Sequence, residues 1–65
     1  MIYVNGAEQP DADTVAALLE RLGVGERARG VAVALDGEVL PRSEWASASL
    51  APGTRVELVG AIQGG

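Results

Sequence analysis

Residues 31–41 read VAVALDGEVLP and predict a β-hairpin. Its first strand is apolar on both faces, with bulky valine and leucine side chains on one face and alanines on the other. Asp36-Gly37 is typical of a tight hairpin turn, because both residues tolerate the positive φ angles that such a turn needs. Pro41 ends the return strand, since proline has no amide hydrogen to donate to a neighbouring strand.

A second hairpin is predicted at the start of the chain. Residues 1–4 are rich in the β-branched and aromatic side chains that strands favour. Asn5-Gly6 is again a strong turn signal, and residues 7–9 form a short return strand. A further strand is expected at residues 55–59, where apolar and charged side chains alternate.

One amphipathic helix separates the two hairpins. Its apolar side chains recur at the spacing of a single helical stripe, at Val15, Leu18, Leu19 and Leu22. Asp13 or Thr14 can accept hydrogen bonds from the first free amides as the N-cap. Gly23 fits the left-handed position after the helix, with Val24 placed for the apolar contact of a Schellman ending. Residues 25–30 form a polar connection to the next strand.

Two turns are predicted ahead of the last strand. Ser43 can cap a short helical turn that reaches Trp45, whose indole is expected to anchor this loop at the rim of the core. Pro52-Gly53 suits the two central positions of a tight turn, with proline first and glycine second.

The predicted order of elements is strand, strand, helix, strand, strand, strand. One helix and a mixed sheet of four to five strands make a two-layer α+β domain. The 65 residues leave room for a single domain. We assign residues 1–59 to this domain and residues 60–65 to a flexible C-terminal tail, because no periodicity continues past Val59.

One face of the sheet is left without a helix to cover it. The side chains predicted there are unusually apolar for a solvated surface: Tyr3, Ala32, Ala34 and Val59. We therefore predict a docking surface for a protein partner, although scattered exposed apolar residues are also ordinary. Arg55 and Glu57 alternate onto the same face, in either a solvated or a docking role.

Charge and composition exclude several functions. Nine acidic residues and five arginines give a net charge of −4, which argues against binding to nucleic acid or to an anionic membrane. This charge favours a basic protein partner, or simply keeps the chain soluble. Histidine, cysteine and lysine are absent from the sequence, so the usual general bases and nucleophiles of enzymes are missing. With no signal-peptide pattern, disulfide framework or long apolar run, a cytoplasmic protein is expected.

The remaining charged residues give little sign of chemistry of their own. Asp11 and Asp13 form a carboxylate pair, but their position beside a helix start favours capping over acid–base catalysis. Two carboxylates are also too few to indicate a metal site. Arg42 is expected to make a surface ion pair.

Residues 64 and 65 are both glycine. Ordering glycine costs the most backbone entropy, so the pair does not stabilise the fold. Its advantage is access, because a backbone without Cβ atoms passes through a slot too narrow for other residues. We therefore predict that the α-carboxylate of Gly65 is the reactive group, offered to another protein's active site, with Gly64 as the access residue. Taken alone, the pair would indicate only a frayed terminus.

Three features together carry a resemblance to one family. They are the turn at Asn5-Gly6, the second-half hairpin followed by Pro-Arg-x-x-Trp at residues 41–45, and the diglycine. In this combination the chain resembles the ThiS family, the β-grasp (ubiquitin-like) sulfur carriers of thiamine biosynthesis. The resemblance extends over nearly the whole chain.

The resemblance implies a carrier and not an enzyme. A ThiF-like activating enzyme, an adenylyltransferase, would adenylate the Gly65 carboxylate with ATP and Mg²⁺. Sulfur from a sulfur donor protein would then displace AMP and leave a C-terminal thiocarboxylate, which delivers sulfur to the thiazole synthase ThiG. The chain itself would bind no cofactor. Arg42 is a minor candidate for contact with the activating enzyme.

Three other functions stay open from the sequence. A related carrier would serve molybdopterin, another sulfurated metabolite or protein tagging, although the Pro-Arg-x-x-Trp pattern favours thiamine. A pure interaction module would use the sheet face and leave the tail idle. A small enzyme would need a pocket with a carboxylate of perturbed pKa, for which the sequence offers no support.

Overall fold

The computed structural model describes residues 1–24 and 30–60. Its elements are, in chain order, β1 (Ile2–Val4), β2 (Ala7–Gln9), α1 (Val15–Arg21), β3 (Val31–Leu35), β4 (Glu38–Leu40), a turn of 3₁₀ helix (Arg42–Glu44) and β5 (Arg55–Gly60). The predicted polar connection, apart from Gly30, and the predicted tail from residue 61 onward lie outside these ranges. Within the two ranges, no helix has both the length and the apolar character that a bilayer crossing requires.

The five strands form one mixed sheet in the order β2-β1-β5-β3-β4. β1 and β5 pair in parallel, whereas the other neighbouring strands pair antiparallel. The central strand, β5, is therefore the last of the described strands in the sequence. One helix against one mixed sheet is the predicted α+β architecture, in the β-grasp arrangement.

Both hairpin turns form as predicted. Asn5 and Gly6 have φ angles of 51° and 88°, and Asp36 and Gly37 have φ angles of 49° and 90°. Positive φ at both central residues defines a type I′ turn, whose twist matches that of the flanking strands. The two dipeptides thus fix the register of both hairpins.

The start of α1 is capped by Thr14, one of the two predicted candidates. Its Oγ1 accepts a hydrogen bond from the Ala17 amide at 3.1 Å. Asp13 instead uses its backbone carbonyl to accept a hydrogen bond from the Leu50 amide. The predicted capping role of Asp11 is also wrong, because its carboxylate pairs with the N-terminal ammonium at 2.6 Å.

The end of α1 is the predicted Schellman motif. The Gly23 amide donates to the Glu20 carbonyl, and the Val24 amide donates to the Leu19 carbonyl. Gly23 has a φ angle of 79°, which an L side chain rarely adopts. The glycine therefore ends the helix.

The core lies between α1 and the inner face of the sheet. Its buried side chains are Ile2, Val4, Val15, Leu18, Leu19, Val33, Trp45, Leu50 and Val56. Leu22, Val31, Leu35 and Leu58 are partly buried against this cluster, on the sides that the sequence predicted. Full burial of one large aliphatic side chain contributes about 1.5–3 kcal/mol, so this cluster carries most of the stability.

The loop after β4 differs from its prediction in two details. Ser43 does not cap the helical turn, because the turn begins one residue earlier, at Arg42, with Pro41 in the capping position and no side-chain cap. Trp45 is a core residue with 7 % of its surface exposed, which is deeper than the predicted rim position. The predicted tight turn is confirmed, because the Thr54 amide donates to the Ala51 carbonyl, and the φ angle of 88° at Gly53 makes it a type II turn.

Two strands begin or end one residue away from their predicted limits. β1 begins at Ile2 and not at Met1. β5 continues through Gly60, which pairs with Val31 at the start of β3. Gly60 therefore belongs to the sheet, and its assignment to the tail is wrong. The prediction ended the strand where side-chain alternation stops, but a glycine backbone pairs without a side chain.

Candidate functional site

The sheet face opposite α1, called the open face below, is defined by strand alternation. Because Ile2, Val4, Val33 and Val56 point into the core, their neighbours along each strand point the other way. The side chains on the open face are Tyr3, Glu8, Ala32, Ala34, Val39, Arg55, Glu57 and Val59. Alternation thus places all of the predicted docking residues there, and Val59 is 68 % exposed.

These docking residues do not form one continuous apolar patch. Ala32 is paired with Val59 in the register between β3 and β5, and Ala34 is paired with Glu57. Tyr3 instead lies beside Arg55 in the register between β1 and β5. The charged side chains of Arg55 and Glu57 therefore stand between Tyr3 and Val59.

Val39 is an open-face residue that the sequence analysis missed. It pairs with Ala34 across the β3–β4 hairpin and is 77 % exposed. The sequence did contain a signal for this position of Val39. The two-residue turn at Asp36-Gly37 fixes which residues of the hairpin lie opposite each other. Together with Ala32, Ala34 and Val59 it makes an apolar strip on β3, β4 and the end of β5.

A shallow groove runs along the open face beside β5. Its lining residues are Tyr3, Asn5, Gly6, Gly53, Arg55, Val56, Glu57 and Val59. The groove forms because β1 ends at Val4 whereas β5 continues to Gly60. The two elements that border it are therefore the Asn5-Gly6 turn and the type II turn that contains Gly53.

Asn5 closes the gap that β1 leaves along β5. Its Oδ1 accepts a hydrogen bond from the Leu58 amide at 2.9 Å, and its Nδ2 donates to the Leu58 carbonyl at 3.4 Å. The side-chain amide thus extends the parallel ladder, in which the Asn5 backbone amide donates to the Val56 carbonyl. The distal half of β5 is held on both sides, by β3 and by Asn5.

The Pro-Arg-x-x-Trp pattern has a local structural basis. The Trp45 Nε1 donates to the Leu40 carbonyl at 3.2 Å, which fixes the loop to the end of β4. The Arg42 guanidinium carbon lies 5.6 Å from the centroid of the Trp45 ring. The short helical turn brings residues three apart onto the same side. In the described residues, Arg42 thus makes a cation–π contact in place of the predicted surface ion pair.

In chemical terms, the open face is suited to contact with a protein. It offers an apolar strip, the Arg55 guanidinium and two carboxylates, those of Glu8 and Glu57. Within residues 1–24 and 30–60, no group of three or more acidic, histidine or cysteine side chains is placed to hold a metal ion.

The predicted reactive residues Gly64 and Gly65 lie outside the described residues. β5 is the element that leads toward them, and Gly60, its last residue, is the last one described. Val59, on the open face, therefore lies six positions before Gly65 in the sequence.

Comparisons with known proteins agree on one family. The ThiS family model matches residues 1–65. Among solved structures, the thiamine biosynthesis protein ThiS from Geobacter metallireducens is similar to this chain, with 35 % sequence identity and a TM-score of 0.78. The match covers 98 % of this chain and 97 % of that one. A search of curated proteins found no match. The chain therefore belongs to the ThiS family, the sulfur carriers of thiamine biosynthesis.

Proposed function

We propose that Gly65 carries sulfur for the thiazole ring of thiamine as a C-terminal thiocarboxylate. The observation that carries this proposal is the family match, which extends through residues 64 and 65. The diglycine is thus part of the family pattern and not an addition to it. Gly64, which has no side chain, lets the terminal carboxylate enter a narrow active-site channel.

The proposed chemistry converts a poor electrophile into a good one. A carboxylate resists attack, because the leaving group would be oxide. Attack of the Gly65 carboxylate on the α-phosphate of ATP releases pyrophosphate and forms an acyl-adenylate. A hydrosulfide equivalent from a sulfur donor protein then attacks the carbonyl carbon, AMP leaves with the bonding electrons, and the thiocarboxylate remains.

A partner supplies the catalytic groups for both steps. The sequence contains no histidine, cysteine or lysine, and it has no glycine-rich phosphate loop with a lysine. A ThiF-like adenylyltransferase therefore provides the ATP site and Mg²⁺, and this chain acts as its protein substrate. Thiazole synthase, ThiG, receives the sulfur. Because activation consumes ATP, we assign the cycle to the cytoplasm.

The open face is the proposed docking surface for the activating enzyme. Val59 is 68 % exposed and Ala32 lies beside it, so contact there would remove apolar surface from water. The five residues from 61 to 65 span at most about 18 Å when fully extended, which suits a docked body and a distant active site. The net charge of −4 favours a basic entrance on the partner.

Intact mass spectrometry tests the proposal. The protein is incubated with a ThiF-like enzyme, ATP, Mg²⁺ and a sulfur donor, and its mass is expected to increase by one oxygen-to-sulfur exchange. Fragmentation should place the added mass at Gly65. Omitting ATP should prevent the change, because the carboxylate then has no leaving group.

A chain extended by one serine after Gly65 is the matched control. Its fold should be unchanged by circular dichroism, and it should gain no sulfur, because its carboxylate lies on a different residue. Sulfur on Gly65 of the extended chain, or on any side chain of the parent, would show the proposal to be wrong.

A further inference from the structure

Gly60 occupies a position where the backbone leaves no room for a side chain. A Cβ atom built on Gly60 would lie 2.8 Å from the Val31 Cα and 3.1 Å from the Gly30 carbonyl carbon, and closer still to the Gly30 carbonyl oxygen. Real Cβ atoms essentially never approach other atoms within 3.0 Å. All of these neighbours are main-chain atoms, so no change of rotamer can relieve the contact.

This requirement differs from that of the turn glycines. Gly37, for example, has a φ angle of 90° and open space around its missing Cβ. Its need for glycine comes from backbone conformation. Gly60 has no positive φ angle. Glycine is required at this position because the end of β5 lies in close contact with the start of β3.

From this contact we infer that Gly60 is a positioning residue, which fixes the place of the backbone to which residues 61–65 are joined. The inference rests on the proposed function, because it concerns delivery of the Gly65 carboxylate. A side chain at position 60 would force the end of β5 away from Val31. The pairing of Gly60 with Val31 would then be lost, and the backbone that precedes residues 61–65 would be displaced.

The consequence for the reaction is geometric. Val59 belongs to the proposed docking surface, so the docked partner is in direct contact with the residue that precedes Gly60. Residues 61–65 span at most about 18 Å when extended, and each released residue adds about 3.3–3.6 Å of reach. Close packing holds Gly60, the residue to which residues 61–65 are joined, in a constant place relative to the docked face. Gly60 thereby sets the distance between the docking surface and the reacting carboxylate.

Gly60→Ala and Gly37→Ala, compared with the parent, separate positioning from stability. Both substitutions disturb a glycine-specific site, but only the first lies where the segment begins. ATP-dependent adenylation is followed at saturating ATP by pyrophosphate release, at a temperature where circular dichroism shows each variant to be folded. For Gly60→Ala we expect kcat to fall by about tenfold or more with KM within about twofold, because docking is retained and the carboxylate is misplaced. Gly37→Ala should retain the parent's kcat.

A second variant covers the case in which Gly60→Ala does not fold. One glycine inserted between residues 60 and 61 keeps the close contact and lengthens the delivered segment. We expect the same loss in kcat with an unchanged KM. Parental kcat in the folded Gly60→Ala variant or in the insertion variant would overturn the inference. If the parent itself is not adenylated, the proposed function fails, which is a separate result.

Discussion

The side-chain amide of Asn5 hydrogen-bonds to both polar backbone atoms of Leu58, at 2.9 Å to the amide and 3.4 Å to the carbonyl. These residues are 53 positions apart in the sequence. The contact joins the first hairpin turn to the distal half of the central strand. It continues the parallel pairing of β1 and β5 past the point where β1 itself ends.

Asn5→Gly tests the contribution of this contact. Glycine keeps the positive φ angle of the turn, so the substitution removes the hydrogen bonds without straining the backbone. We expect a loss of about 1 kcal/mol in the free energy of unfolding, measured with urea. Hydrogen exchange at the Leu58 amide should accelerate more than exchange at core amides.

Asn5→Asp is the matched control for that substitution. Aspartate also tolerates the left-handed conformation and keeps the Oδ1 acceptor, while it loses the weaker donor. Its stability should fall between those of the parent and of Asn5→Gly. Equal stability of all three proteins would contradict a role for the side chain.

Trp45 is expected to be the most sensitive position in the loop after β4. Trp45→Ala removes a buried aromatic side chain, which typically costs about 3–5 kcal/mol. A domain of this size rarely has more than about 3–5 kcal/mol of total stability, so this variant should be largely unfolded. Circular dichroism at room temperature gives the measurement.

Trp45→Phe separates packing from hydrogen bonding at the same site. The ring remains, but the hydrogen bond to the Leu40 carbonyl and part of the cation–π contact with Arg42 are lost. We expect a folded protein with a loss of about 1–2 kcal/mol. A variant as unfolded as Trp45→Ala would mean that the indole shape, and not ring burial, controls this loop.

Val59→Arg tests the proposed docking surface. The side chain is 68 % exposed, so thermal unfolding should hardly change. Binding to the activating enzyme should weaken by about tenfold or more, because a charge replaces an apolar contact at a surface that is expected to meet a basic entrance. Isothermal titration calorimetry with the purified partner measures this effect.

Ala17→Arg is the charge-matched control for Val59→Arg. Ala17 is exposed on α1, on the other side of the molecule from the open face. Its substitution makes the same change in net charge. If both variants weaken binding equally, long-range charge and not the open face would account for the effect.

Local signals in the sequence predicted most of the fold. Both type I′ turns and the Schellman ending at Gly23 follow from residues next to each other in the chain, so their geometry could be predicted. The failed cap at Ser43 has a local cause too. Pro41, whose φ angle is fixed, takes the capping position two residues before Ser43, and the turn therefore starts earlier in the sequence, at Arg42.

Features that depend on distant pairing could not be predicted in the same way. The Asn5–Leu58 contact requires the parallel register of β1 and β5, which no local pattern specifies. The same is true of Gly60, because only the register between β5 and β3 brings it against Gly30 and Val31. Alternation gave the face of each docking residue, but the separation of Tyr3 from Val59 by charged residues followed from strand order.

The placement of β5 at the centre of the sheet has a consequence for biosynthesis. Until its residues have emerged from the ribosome, the β1–β2 and β3–β4 hairpins have no strand to join them, and single hairpins are marginally stable in water. The sheet must therefore wait for β5, and a product that lacks β5 would expose its apolar surfaces to cellular proteases and chaperones.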